Sequence, residues 1–117
     1  MIRLTATLFR NPELTHQEFL EHWMGSHGPL IASLPNLSKH IVRYEQHPRA
    51  GDGPLFGTEG CDGVTVQWFE SEAGFLGFLS EPDYQTYIAP DEKVFLDMNR
   101  VQFVLTSEPT VVFGSAL

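Results

Sequence analysis

The 117 residues carry 42% hydrophobic and 19% charged side chains, a composition that supports a globular core and excludes an intrinsically disordered chain. Acidic residues number 15 against 7 basic ones, a formal charge of -8, and the few cations are scattered, which excludes nucleic acid and anionic membrane surfaces as partners. No apolar run approaches the roughly 20 residues that a bilayer span requires, so no membrane insertion is expected.

The first nine residues lack the charged, apolar and small-residue order of a signal peptide, and Cys61 is the single cysteine, so a cytoplasmic protein without disulfides is expected. Cys61 has no Cys partner and no His at metal-ligand spacing, and Gly60-Cys61-Asp62-Gly63 reads as a turn.

Residues 2–9 alternate, with Ile2, Leu4, Ala6 and Leu8 on one side and Arg3, Thr5, Thr7 and Phe9 on the other, the pattern of a half-buried strand. Asn11-Pro12 ends it, and Thr15-His16-Gln17-Glu18 has the T-x-x-E spacing of a capping box. Phe19, Trp23, His27, Leu30 and Leu34 then form the apolar stripe of a first helix, which Pro29 should kink or restart near Gly28. A second strand is read over residues 38–47, with His40, Val42 and Tyr44 on one side and Ile41, Arg43 and Glu45 on the other. Residues 48–63, rich in Gly and Pro, form a long loop suited to a lid or a partner-binding arm. Residues 64–69 are a third strand, and Ser71 caps a second helix carrying Phe75, Phe78 and Leu79. Pro82 interrupts that helix, Pro90 suits the first turn of another, and residues 101–105 and 110–113 read as closing strands.

The order is strand, helix, strand, strand, helix, strand: an α+β, ferredoxin-like βαββαβ arrangement with an antiparallel sheet and helices on one face, expected as a single domain over residues 1–117. The other face would be bare, and a two-fold homodimer that stacks two sheets into an α/β-barrel would cover it.

The run from Phe19 to Leu30, FLEHWMGSHGPL, followed by Leu34-Pro35-Asn36-Leu37, resembles the aromatic-x-x-x-Trp-x-x-x-His-x-Pro-Leu helix of the EthD family. Asp62-Gly63-Val64, Trp68-Phe69, Pro82-x-Tyr84 and the segment DEKVFLD ending at Asp97 are similar to later parts of the same family in the same order. The departures are the extended loop with Phe56, and Gly25 and Gly28 where helix formers or an acid are expected. The resemblance implies a dimeric α/β barrel related to muconolactone isomerases, polyketide cyclases, quinone-forming monooxygenases and fungal EthD-type dehydratases. It also admits a non-catalytic role, since the family's name derives from an accessory of a cytochrome P450 system in ethyl tert-butyl ether breakdown. Its recurrent polar positions match His27 and Asp97.

His27, an imidazole on an apolar helix face, is the candidate general base. Its structural alternative is a buried ring satisfied by a carbonyl freed at the Pro29 kink. Asp97 is the candidate partner that orients His27, with a cap or an ion pair to Arg100 as the alternative. His40 and Tyr44, read as sharing a strand face, are candidate substrate contacts, and Arg43 a candidate anion contact. Tyr84, Tyr87, Trp23 and Phe78 are candidate walls of a pocket for a flat hydrophobic ligand, with core packing as the alternative. His16, His22 and His47 attract no role. No metal site is expected, because His22 and His27 are five apart and fall on different faces of an α-helix.

Nucleotide, P-loop, zinc-protease and serine-hydrolase motifs are absent. The expected activity is therefore cofactor-independent acid–base chemistry of the isomerase, cyclase or dehydratase-lyase type on a small hydrophobic or aromatic substrate, with a non-catalytic accessory or ligand-binding protein as the alternative. The Asn, Trp and His constellation of cofactor-free oxygenases cannot be placed on this chain.

Overall fold

Alternation over the first residues becomes strand β1 (Ile2–Phe9) in a computed structural model that describes residues 1–51 and 56–116. Thr15 caps helix α1 (His16–His22): its Oγ1 accepts from the Glu18 amide at 3.1 Å while its own amide donates to Glu18 Oε1 at 2.9 Å. The chain continues as a π-helical turn (Trp23–His27), α2 (Gly28–Ser33) and the short α3 (Pro35–Ser38). Strands β2 (Arg43–Pro48) and β3 (Cys61–Phe69) follow. Helix α4 (Glu72–Ser80) starts at Ser71, whose hydroxyl accepts from the Gly74 amide at 3.1 Å. A second π-helical turn (Tyr84–Ile88) leads into α5 (Ala89–Phe95), and β4 (Gln102–Thr106) closes the sheet.

The four strands are antiparallel in the order β2-β3-β1-β4, so the two central strands are the first and third, and the fold is ferredoxin-like α+β. Ala6 lies opposite both Thr65 and Phe103, and Tyr44 opposite Gln67. Period two then places Leu4, Ala6, Leu8, Thr65, Gln67, Tyr44 and Phe103 on the helix-facing side. Two apolar clusters join sheet to helices: Ala6, Leu8, Phe19, Trp23, Phe95 and Leu96 in one, and Ile31, Leu37, Phe69, Phe78 and Ile88 in the other. Burying each large side chain of this kind contributes about 1.5–3 kcal/mol.

Three readings change. The second strand begins at Arg43 and not at residue 38, because Pro35 starts α3, Leu37 is drawn fully into the core, and the amides of His40 and Ile41 close turns onto Leu37 and Ser38. His40 and Tyr44 therefore share no strand face. The third strand starts three residues early, at Cys61, since Asp62 is held in the core and Gly63 packs under the Trp23 ring. Residues 110–113 form no strand; Val111, Val112 and Phe113 are exposed. Within the 48–63 loop, residues 52–55 lie outside the described residues.

Asp62 ties the loop to the start of α1. Its carboxylate, fully buried, accepts from the Arg10 amide (2.9 Å), the Arg10 guanidinium (2.8 Å) and His16 Nδ1 (2.7 Å). Removing one partner of such a buried charge cluster costs far more than a surface pair would.

Candidate functional site

A cavity of about 500 Å³ lies between the sheet and the helices, walled by both apolar clusters. Its size is that of a small-molecule site, and its apolar wall is interrupted by a few polar groups: His27, Tyr44, Thr65, Gln67, Tyr84 and Glu92.

Helical irregularity positions two of these groups. Pro29 has no N–H and its ring would crowd the carbonyl four residues back, so the chain widens before it: the Gly28 amide donates to the Trp23 carbonyl, five residues back. The second turn repeats the device before Pro90, with the Ala89 amide donating to the Tyr84 carbonyl. Gly28 also admits the side chain of Gln46, whose Nε2 would lie 2.9 Å from a Cβ there and which donates to the Trp23 carbonyl at 2.8 Å.

The widened turn brings residues five apart to one side. His27 Nδ1 lies 2.7 Å from Asp91 Oδ2, and His22 Nε2 lies 2.8 Å from Asp91 Oδ1. Both rings pack on Phe95, at centroid distances of 4.8 Å and 5.0 Å. Asp91 sits in the first turn of α5, where a carboxylate suits the helix dipole. With Nδ1–H donating to Asp91, the neutral imidazole of His27 carries its lone pair on Nε2. Burial holds the His27 imidazole below its ordinary value; the bond and charge of Asp91 pull it up, and a positive His22 adds to the lowering.

A second polar pair shares the cavity. The Tyr84 hydroxyl donates to Glu92 Oε1 at 2.8 Å. Burial pushes the Glu92 carboxyl up, the Tyr84 bond opposes this, and the neighbouring Asp91 charge adds to it. Burial, followed by the Glu92 charge, raises the Tyr84 phenol well above its usual range, and burial raises Tyr44. The Tyr44 hydroxyl accepts from Gln46 Nε2 at 3.2 Å.

Of the residues singled out from sequence, His27, Trp23, Tyr44, Tyr84 and Phe78 line the cavity. Asp97 does not reach His27. It lies past the end of α5, where its Oδ1 accepts from the Asn99 amide at 3.1 Å and its carbonyl accepts from Arg100 and Val101, so it shapes the turn into β4. His40 lies in the turn after α3 and bonds Glu81 at 2.8 Å, outside the cavity wall. Tyr87 faces outward at 48% exposure. Arg43 projects from the opposite sheet face and bonds Glu45.

Asp91, His22 and Glu92 were missed. The assumption of a uniform 3.6-residue repeat separated His22 from His27, and Asp91 pairs across two helices, which no local spacing reports. The available signal was Pro29 and Pro90, each two residues beyond the end of a π-helical turn. Among the described residues no group of three or more His, Cys, Asp or Glu side chains is placed to hold a metal ion, and no helix is long and apolar enough to cross a membrane.

Three similarities place this fold among known proteins. A protein of Metarhizium robertsii named conidial pigment biosynthesis dehydratase EthD is 29% identical over 110 residues, covering 86% of this chain and 77% of that one. The crystal structure of an ethyl tert-butyl ether D (EthD) family protein from Bacillus halodurans superposes with a TM-score of 0.68 at 17% identity, covering 93% of this chain and 99% of the other. A dimeric ferredoxin-like protein from Thermobifida fusca does so with a TM-score of 0.66 at 20% identity, covering 92% and 90%. Residues 11–99, which span α1 with its π turn, strands β2 and β3 and all of α5, match the EthD domain, and the chain belongs to the EthD family.

Proposed function

We propose that the protein is a cofactor-independent acid–base enzyme of the isomerase, cyclase or dehydratase type, acting on a small hydrophobic substrate held between sheet and helices, with His27 as the base. The observation that carries this reading is the bond from His27 Nδ1 to Asp91, which fixes the tautomer and leaves the basic lone pair on Nε2 of a ring that lines an apolar cavity. Proton transfer needs a base that is neutral near pH 7, and burial favours the neutral ring. His22, bonded to the other oxygen, orients the carboxylate. The relative named as a dehydratase supports elimination of water as the member of this class to test first. A homodimer is part of the proposal: Phe103 and Val104 on the edge strand are more than half exposed and Phe113 is 90% exposed, apolar surface that a second copy would cover.

The test is deuterium exchange at the α carbon of 1-tetralone, a bicyclic ketone small enough for the cavity, followed by proton NMR. Exchange above the buffer rate that disappears in His27→Gln, with circular dichroism and the thermal transition unchanged, supports the enzyme. Ligand that binds, is recovered without label, and binds His27→Gln equally well supports the accessory, ligand-carrying reading instead.

A further inference from the structure

Among the described residues the cavity is lined by one carboxyl and by no Lys or Arg. Glu92 lines it directly, and Asp91 lies behind His27. Every basic residue is placed elsewhere. The guanidiniums of Arg3 and Arg43 lie 5.0 Å and 5.8 Å from the centroid of Trp68, whose neighbour Gln67 is the one that faces the cavity. Arg100 lies 4.1 Å over Phe9, Arg10 and Arg49 approach Asp62, Lys39 pairs with Glu81, and Lys93 is exposed on α5.

An anionic ligand entering this space would lose its hydration, meet a carboxyl of the same charge, and find no guanidinium or ammonium to replace water. A hydroxyl meets neither difficulty. It donates to an ionised Glu92 and accepts from a protonated one, while the Tyr84 bond holds the carboxyl in place in both states. We infer that Glu92, positioned by Tyr84, is a specificity-determining residue that restricts the site to uncharged, hydroxyl-bearing aromatic ligands and rejects carboxylates and phosphates. The inference rests on the cavity being a ligand site, as proposed above, and not on catalysis.

Two naphthalenes of the same ring size separate the cases: 2-naphthol, neutral at pH 7.5, and 2-naphthoate, ionised there. Isothermal titration should give 2-naphthol an affinity at least about tenfold higher than 2-naphthoate, and Glu92→Gln, which keeps the side chain's size, should narrow that ratio by about threefold or more. Tyr84→Phe, which frees the carboxyl but keeps the ring, should weaken 2-naphthol binding while leaving 2-naphthoate the poorer ligand. Equal or tighter binding of 2-naphthoate overturns the inference even if tetralone exchange occurs. A ratio unchanged in Glu92→Gln removes Glu92 from it. Binding of neither compound overturns it together with the ligand-site reading, whereas selective binding without exchange leaves it standing and removes only the enzyme.

Discussion

His22 and His27 stand five residues apart and bond opposite oxygens of one carboxylate, Asp91, at 2.8 Å and 2.7 Å. On a regular α-helix two such residues would point about 140° apart. The π-helical turn between them closes that angle, and a site that needs one imidazole held and another holding the holder is assembled from a single helix and one facing acid.

Asp91→Asn removes the carboxylate that selects the His27 tautomer while keeping its shape. The exchange rate should fall by about a hundredfold or more, because an amide can present a donor to Nδ1 and trap the wrong tautomer. Asp97→Asn should change the rate less than about threefold, since Asp97 serves the turn at Asn99. Initial rates on 1-tetralone compare the two.

In the proposed reaction the base form of His27 is the active one, and burial keeps its folded value below 6.5. Activity should therefore hold from neutral pH down past 6.5 and decline only as pH falls through the lowered value. A rate profile between pH 4.5 and 8 with its acid limb at or above 6.5 would contradict the assignment.

Glu92 acts on stability in the opposite sense from a surface acid. Its folded value lies above the ordinary 4.5, so the folded state binds the proton more tightly. That contribution is fully present below 4.5 and is lost as pH rises through the raised value. Glu92→Gln cannot ionise, so its melting temperature relative to the native chain should climb as pH rises from 4.5 to 8; a constant difference would show that Glu92 titrates normally.

Asp62→Ala would strand Arg10 and His16 beside an empty buried position. A loss of about 3–5 kcal/mol in unfolding free energy is expected from urea titration, several times the effect of removing the half-buried Glu45 from its pairs with the exposed Arg43 and His47.

Gly63→Ala places a Cβ 2.6 Å from Trp23 Cζ3 and 3.1 Å from the His47 carbonyl oxygen, so the indole, which lines the cavity, must shift. Such overpacking costs about 1–3 kcal/mol. Binding of 2-naphthol should weaken along with stability, which titration and thermal melting report separately.

The first strand and the two capped helix starts were legible because each rests on a short-range rule. Period two in residues 2–9, the Thr15–Glu18 box and the Ser71 cap need only neighbours within a few residues, and each appears where those rules put it. The place of His27 on the cavity wall was legible for the same reason, as a polar break in an apolar stripe. Its partner was not, because Asp91 and Asp97 both lie near α5 and only the docking of that helix against the first π turn decides between them. The strand position given to His40 failed because Pro35 and Leu37 form a helical turn whose anchor is tertiary burial, while Lys39 to Val42 carry enough β-branched residues to read as extended.

Each π-helical turn amounts to one residue more than an α-helix needs over the same rise. Remove that residue, for example Ser26, and the helix closes in ordinary register, with His22 and His27 then four apart and about 40° from one another about its axis. The strands would still pair, Thr15 would still cap and the two imidazoles would still share a side, but Pro29 would drive its ring into the backbone of a regular α-helix. The extra residue is thus required by the proline, so a single deletion here should cost folding stability, where one in the exposed stretch at residues 107–110 should not.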